Sequence, residues 1–137
     1  KLRSLLDVGI TTFIDLTEAG ELEPYSAVLA DEAGWVGKAA THVRFPIPDM
    51  TPPEPEIMVR VLDAVNGALE AGEVVYVHCM IGMGRTGAVV GCWLVRGGLS
   101  GKAALEEMGG MRDGLIGGPM GSPYTEEQRQ LVRDWRE

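Results

Sequence analysis

The clearest periodic pattern in the chain lies between Pro55 and Gly72. Met58, Val61, Leu62, Val65 and Leu69 recur at three- and four-residue steps, the spacing that lines one face of a helix. Pro55 suits its first turn and Gly72 its end. Val74-Val75-Tyr76-Val77 follows as an unbroken apolar run. A strand covered on both faces reads this way, as at the centre of a parallel sheet. Ile10 to Leu16 is β-branched and mostly apolar and predicts another buried strand. Thr41 to Ile47 predicts a further strand, weakened by Pro46.

Helices are predicted between these strands. Leu2 to Val8 closes at Gly9, and Pro24 to Ala33 stops at Gly34. Thr86 to Val95 reads as a buried helix, and Ser100 to Met108 as a helix capped by Ser100. Thr125-Glu126-Glu127-Gln128 fits a capping box opening a last helix. Pro48-Asp49-Met50-Thr51-Pro52-Pro53 can be neither helix nor ladder. The alternation predicts an α/β fold with a single central, mostly parallel sheet and helices on both faces. No repeat or linker divides the 137 residues, so one domain is expected over 1–137. The chain starts at Lys1 rather than Met, and a segment ahead of it is expected.

Charge narrows the partners. The net charge of −8 repels nucleic acid and anionic membranes, and nucleic acid is not expected as a partner. The most apolar stretch, Gly87 to Val95, lies between Arg85 and Arg96. It is too short to insert across a bilayer. Cys79 and Cys92 form no Cys-x-x-Cys, and His42 and His78 complete no recognised metal spacing. A disulfide framework, a metal and a cofactor are therefore not expected, and a reducing, cytoplasmic setting is.

The chemistry concentrates after the apolar run, in His78-Cys79-Met80-Ile81-Gly82-Met83-Gly84-Arg85-Thr86-Gly87. A strand-loop-helix of this kind points backbone N–H groups at a helix N-terminus, which makes an anion site before any side chain acts. Met80, Ile81, Gly82, Met83 and Gly84 would supply that cradle, and the glycines its unusual dihedrals. Three glycines in register, each at a background of ~7%, arise by chance in fewer than about one loop in a thousand. Arg85 can take two phosphate oxygens through its planar fork. At the bottom of the bowl, amide dipoles, the helix terminus and Arg85 would favour Cys79 as a thiolate nucleophile. His78 could fix the loop by a local hydrogen bond. Thr86 can donate to the sulfur and ease its departure.

The signature His-Cys-x-x-Gly-x-Gly-Arg-Thr-Gly at 78–87 resembles that of the protein tyrosine phosphatase superfamily, most nearly its compact dual-specificity branch. The resemblance implies a metal-free, two-step hydrolysis of phosphate monoesters. The cysteine attacks phosphorus; an aspartate on a separate loop protonates the leaving oxygen and then activates water. Asp49, upstream of Cys79 and bracketed by prolines, matches the family's acid. Its rivals Glu54 and Glu56 open a helix, where acids suit the dipole anyway, and Asp63 lies on that helix's polar face. Gln128 loosely resembles a late family glutamine that positions water, although the capping box explains it more simply.

The loop departs from members acting on highly phosphorylated inositol lipids, which carry basic residues where this chain has Met80, Ile81 and Met83. A phosphorylated protein is the expected partner: phosphotyrosine, or phosphoserine/threonine. Small phosphorylated metabolites and phosphoinositides are alternatives, and a non-catalytic phosphate-binding pseudophosphatase is the reading from another class. Cys92 and the three tryptophans read as packing residues, and His42 as an ordinary strand histidine.

Overall fold

The computed structural model describes residues 1–113 and 121–137. Among these residues nine elements follow in order: α1 (Leu2–Asp7), β1 (Thr12–Asp15), α2 (Ser26–Trp35), β2 (Thr41–Arg44), α3 (Pro55–Glu70), β3 (Val75–His78), α4 (Arg85–Arg96), α5 (Gly101–Met111) and α6 (Glu126–Asp134). The three strands form one parallel sheet in the order β2-β1-β3. The α/β architecture expected from the alternation is the one observed.

Every residue of β1 is buried, while those of β3 are half-buried. Among the described strands β1, not the apolar run of β3, takes the middle place. The strands are also shorter than their apolar stretches, because backbone pairing stops where each chain peels off into a loop. α2 runs through Gly34 to Trp35 rather than stopping before it. An interior glycine costs only about 1 kcal/mol. The turn that ends the helix needs the left-handed backbone of Gly37 (φ 70°).

Alternate residues of β1 serve two cores. Phe13 joins Leu6 of α1 and Leu29 and Ala33 of α2 on one face. Ile14 and Leu16 join Met58, Val61, Leu62 and Val65 of α3 and Ala88, Val89 and Cys92 of α4 on the other. Each Phe, Leu, Ile, Met or Val side chain fully buried there contributes about 1.5–3 kcal/mol. α5 and α6 close over the outer side of α4. They come so near that a Cβ on Gly101 would lie 2.4 Å from the Cα of Arg133. The caps act as read: the Ser100 hydroxyl accepts from the Ala103 amide, and Thr125 and Gln128 form the reciprocal box.

All three strands are parallel, so their C-terminal ends lie at one edge of the sheet. Asp15 pairs in register with Arg44 on one side and His78 on the other. The loops that leave this row carry Glu21, Asp49 and Cys79 respectively. In open parallel sheets this is where ligand sites form.

Candidate active site

Two of the loop's own groups point at the sulfur of Cys79. The Gly82 amide donates to Sγ at 3.2 Å and the Thr86 hydroxyl at 3.1 Å. Gly82 sits at φ 84°, a conformation that the missing side chain permits. Cys79 itself is 7% exposed. Thr86 reaches the sulfur because α4 starts at Arg85, which places residue 86 in the first helical turn, facing back over the loop.

Arg85 is enclosed by the protein, at 1% exposure. Its fork is bound by Glu21: Nη1 donates to Oε1 at 2.7 Å and Nη2 to Oε2 at 2.9 Å. Nη1 also donates to the carbonyl of Ile47 at 2.9 Å and approaches that of Leu16 at 3.5 Å. These carbonyls end β2's and β1's extensions, so the guanidinium ties the two neighbouring strands to the loop of the third. Hydrogen bonding to Arg85 holds the Glu21 carboxyl below its ordinary range, and Glu21 in turn raises the pKa of Arg85. Among the described residues the Nε of Arg85 has no hydrogen-bond partner.

Asp49 lies on the loop after β2, with its side chain largely exposed. Its Oδ1 stands 3.3 Å from Nη2 of Arg85 and accepts from the Met50 amide at 2.9 Å. Met50 takes a left-handed φ of 64°, unusual for a residue with a side chain. Of the sequence candidates for the acid, Asp49 is thus brought to the arginine. Glu54 and Glu56 lie at the start of α3 as their alternative reading has it, and Asp63 pairs instead with Arg96 at 2.9 Å.

Gln128 forms the capping box, and its fully buried side chain does two more things. Its Nε2 donates to the Thr51 carbonyl at 3.4 Å, on the loop that carries Asp49. It also packs over Gly84, where an added Cβ would stand 3.0 Å from Nε2. Residue 122 braces the same loop: the Ser122 hydroxyl donates to the Met83 carbonyl at 2.7 Å. A Cβ on Gly87 would fall 2.2 Å from that hydroxyl oxygen, so a glycine is required there for the brace to close.

Behind the loop, His78 holds the strand end. Its Nδ1 lies 3.4 Å from the Cys79 carbonyl and its Nε2 2.6 Å from the Tyr25 hydroxyl. His42 is not an ordinary strand histidine, because its Nε2 lies 3.0 Å from the buried Asp15. Cys92 is a core residue, and burial, with a smaller contribution from the charge of Glu137, pushes its thiol up to about 12. A cleft of about 670 Å³ opens beside the loop, with Met80, Ile81 and Gly82 along one wall and Leu22 and Tyr25 along another.

Nothing in the local pattern marked Ser122. Glu21 did carry a signal. It is an acid in the loop after a parallel strand, where side chains at the C-terminal edge converge.

Known proteins share this fold. The structure of Tk-PTP in its active form is 32% identical and superposes with a TM-score of 0.76, covering 98% of this chain and 84% of that one. The kinase associated phosphatase, solved with serine in place of its catalytic-site cysteine, has the same fold. Its TM-score is 0.75 at 24% identity, over 97% of this chain and 72% of that one. The fold and the loop are those of the protein tyrosine phosphatase superfamily in its compact dual-specificity form. Residues 1–99 match the Tc-R-P family, described as "Polymorphic toxin system, DSP-PTPase phosphatase", and the chain belongs to that family. That family is one of phosphatases of the tyrosine/dual-specificity type. Among curated proteins it resembles the Arabidopsis thaliana "Phosphatidylinositol 3,4,5-trisphosphate 3-phosphatase and protein-tyrosine-phosphatase PTEN1". The two are 33% identical over 94 residues, which is 67% of this chain and 22% of that protein's length.

Proposed function

We propose that this chain hydrolyses phosphate monoesters through a cysteinyl-phosphate, without a metal. The observation that carries this reading is the convergence on one edge of the sheet. The Cys79 sulfur has two donors aimed at it, and Arg85, with an uncommitted Nε, is held beside Asp49. In the first step the Cys79 thiolate forms a bond to phosphorus, the P–O ester bond breaks, and the Asp49 carboxyl gives its proton to the leaving oxygen. In the second step water attacks phosphorus and its proton passes to Asp49. The S–P bond breaks with its electron pair returning to sulfur, where Thr86 and Gly82 stabilise the charge. Arg85 and the amides of Met80 to Gly84 hold the phosphoryl oxygens throughout.

The rim favours an uncharged, aromatic leaving group. Ile81 is 80% exposed, and Met80 and Met50 are about half exposed. The loop between Cys79 and Arg85 carries no basic side chain, and the chain's charge is −8. A phosphotyrosine-bearing protein fits this surface best, with phosphoserine/threonine next, in a reducing, cytoplasmic compartment that keeps Cys79 a free thiol. A second reading, a phosphoinositide or small phosphorylated metabolite, draws support from the lipid named in the Arabidopsis relative. No helix among the described residues is long and apolar enough to cross a membrane.

Hydrolysis of para-nitrophenyl phosphate in excess chelator tests the proposal. Turnover that chelator leaves intact and orthovanadate stops is expected. Turnover that chelator abolishes overturns the metal-free mechanism. Absent turnover with retained vanadate binding marks a pseudophosphatase.

The role of Asp49 is read from leaving groups. Asp49→Ala is expected to lower kcat about a hundredfold for an alkyl phosphate, whose leaving oxygen needs a proton, and far less for a nitrophenyl ester. Equal losses on both substrates take the acid role away from Asp49.

A further inference from the structure

β1 carries one charged residue, Asp15, in a strand whose four residues are all buried. Desolvating a carboxylate there costs several kcal/mol, and an apolar side chain is the better choice for folding alone. Such departures from local rules concentrate at functional positions. Asp15 is fully enclosed and surrounded by partners. The Thr17 amide and hydroxyl donate to its Oδ1 at 2.9 and 2.6 Å. His42 lies 3.0 Å from its Oδ2, and Arg44 donates to that oxygen at 3.3 Å. Burial pushes the Asp15 carboxyl up. The Thr17 hydroxyl, His42 and the Thr17 amide outweigh it and hold it below the ordinary value, so it stays ionised at neutral pH.

The remaining neighbour is His78, which pairs with Asp15 in register across the sheet. Its Nε2 stands 4.0 Å from Oδ1 and 2.6 Å from the Tyr25 hydroxyl. Burial, and then the charge of Asp15, push the Tyr25 phenol well above its ordinary range, so it keeps a proton to donate to Nε2. At the other end of the ring Nδ1 must be the donor, because the Cys79 carbonyl only accepts. Asp15 thus lies against a ring that Tyr25 orients and that reaches the main chain of Cys79.

We propose that Asp15 is a positioning residue for Cys79, acting through His78. The inference rests on the phosphatase reading above. It places the carboxylate on the face of the sheet away from Arg85, so its loss affects reaction more than phosphate binding. Glu21, Ile47 and Asp49 hold Arg85 independently of it.

The test compares wild type, Asp15→Asn, His78→Asn and the double variant in hydrolysis of para-nitrophenyl phosphate, with thermal unfolding as the control for folding. Asp15→Asn is expected to lower kcat about tenfold or more with KM within about threefold, and the double variant to be no slower than His78→Asn alone. A folded Asp15→Asn with kcat within about twofold of wild type overturns the proposal, as do losses that multiply in the double variant. Should Asp15→Asn fail to fold, Thr17→Val removes the hydroxyl from Oδ1 and leaves the carboxylate. The same kcat-only loss, absent on top of His78→Asn, is then required, and unchanged kcat overturns the proposal.

Iodoacetamide separates this outcome from the parent reading, because alkylation needs no turnover. Cys92 is fully buried and its thiol is pushed up to about 12, so the label reports Cys79. Slower alkylation in Asp15→Asn supports the positioning role even if wild type shows no hydrolysis. An unchanged rate overturns it even if wild type is active.

Discussion

Replacing Cys79 by serine is expected to lower turnover of para-nitrophenyl phosphate by more than about a thousandfold, a barrier increase of about 4 kcal/mol. The partners of the sulfur explain why the loss is so large for a change of one atom. Both groups within hydrogen-bond reach, the Gly82 amide and the Thr86 hydroxyl, are placed as donors. Neither is a base that could take a proton from a hydroxyl. A thiol ionises far more readily than an alcohol, so a site that offers donors and no base suits a thiol nucleophile and not a hydroxyl. Serine also keeps the small side chain and the loop intact, so vanadate binding should stay within several-fold of wild type. Turnover above about a tenth of wild type would require a base that the geometry does not provide, and would sink the covalent mechanism.

What the sequence made legible follows from how local each feature is. The loop at 78–87 is a strand, a turn and a helix start in succession, and every part of it is written in consecutive residues. Asp49 was legible because prolines on both sides force a loop there. The box at Thr125 and Gln128 was legible because both partners lie within one helical turn. Glu21 is different. Its link to Arg85 joins positions 64 apart and exists only because β1 and β3 pair in parallel and release their loops at one edge. Asp15 reads locally as an odd charge in an apolar strand. Its reason lies in Arg44 and His78, supplied by the strands on either side. The contact of Gln128 with Thr51 spans 77 positions, so its reach to the loop that carries Asp49 was as hidden as its cap was plain. The middle place of β1 was masked because apolar content cannot rank three buried strands, whereas the crossover connections do.

Arg85→Lys keeps the positive charge, and it should nevertheless lower kcat/KM by about a thousandfold, with KM rising and kcat falling together. Arg85 serves opposite directions at once. Nη1 and Nη2 are both engaged by Glu21, Nη1 also donates to the Ile47 carbonyl, and Nε is left without a partner among the described residues. A rigid plane can anchor one edge on the protein and offer another to a phosphoryl oxygen. A lysine ammonium concentrates its donors at one point and must choose. If it turns to Glu21, the phosphate loses its clamp. If it turns to phosphate, Glu21 and the Ile47 carbonyl lose their partner, and each such group left unpaired costs about 1–3 kcal/mol. The activity loss should therefore come with a lower unfolding midpoint, readable by thermal denaturation of the same sample. Activity within about tenfold of wild type would show that phosphate needs only a charge at this position, and the dual use of the guanidinium would be wrong. A large loss of activity with an unchanged midpoint would locate the whole effect on the phosphate side and leave Glu21 a bystander. A loss in both is what a side chain shared between the substrate and two neighbouring strands must give.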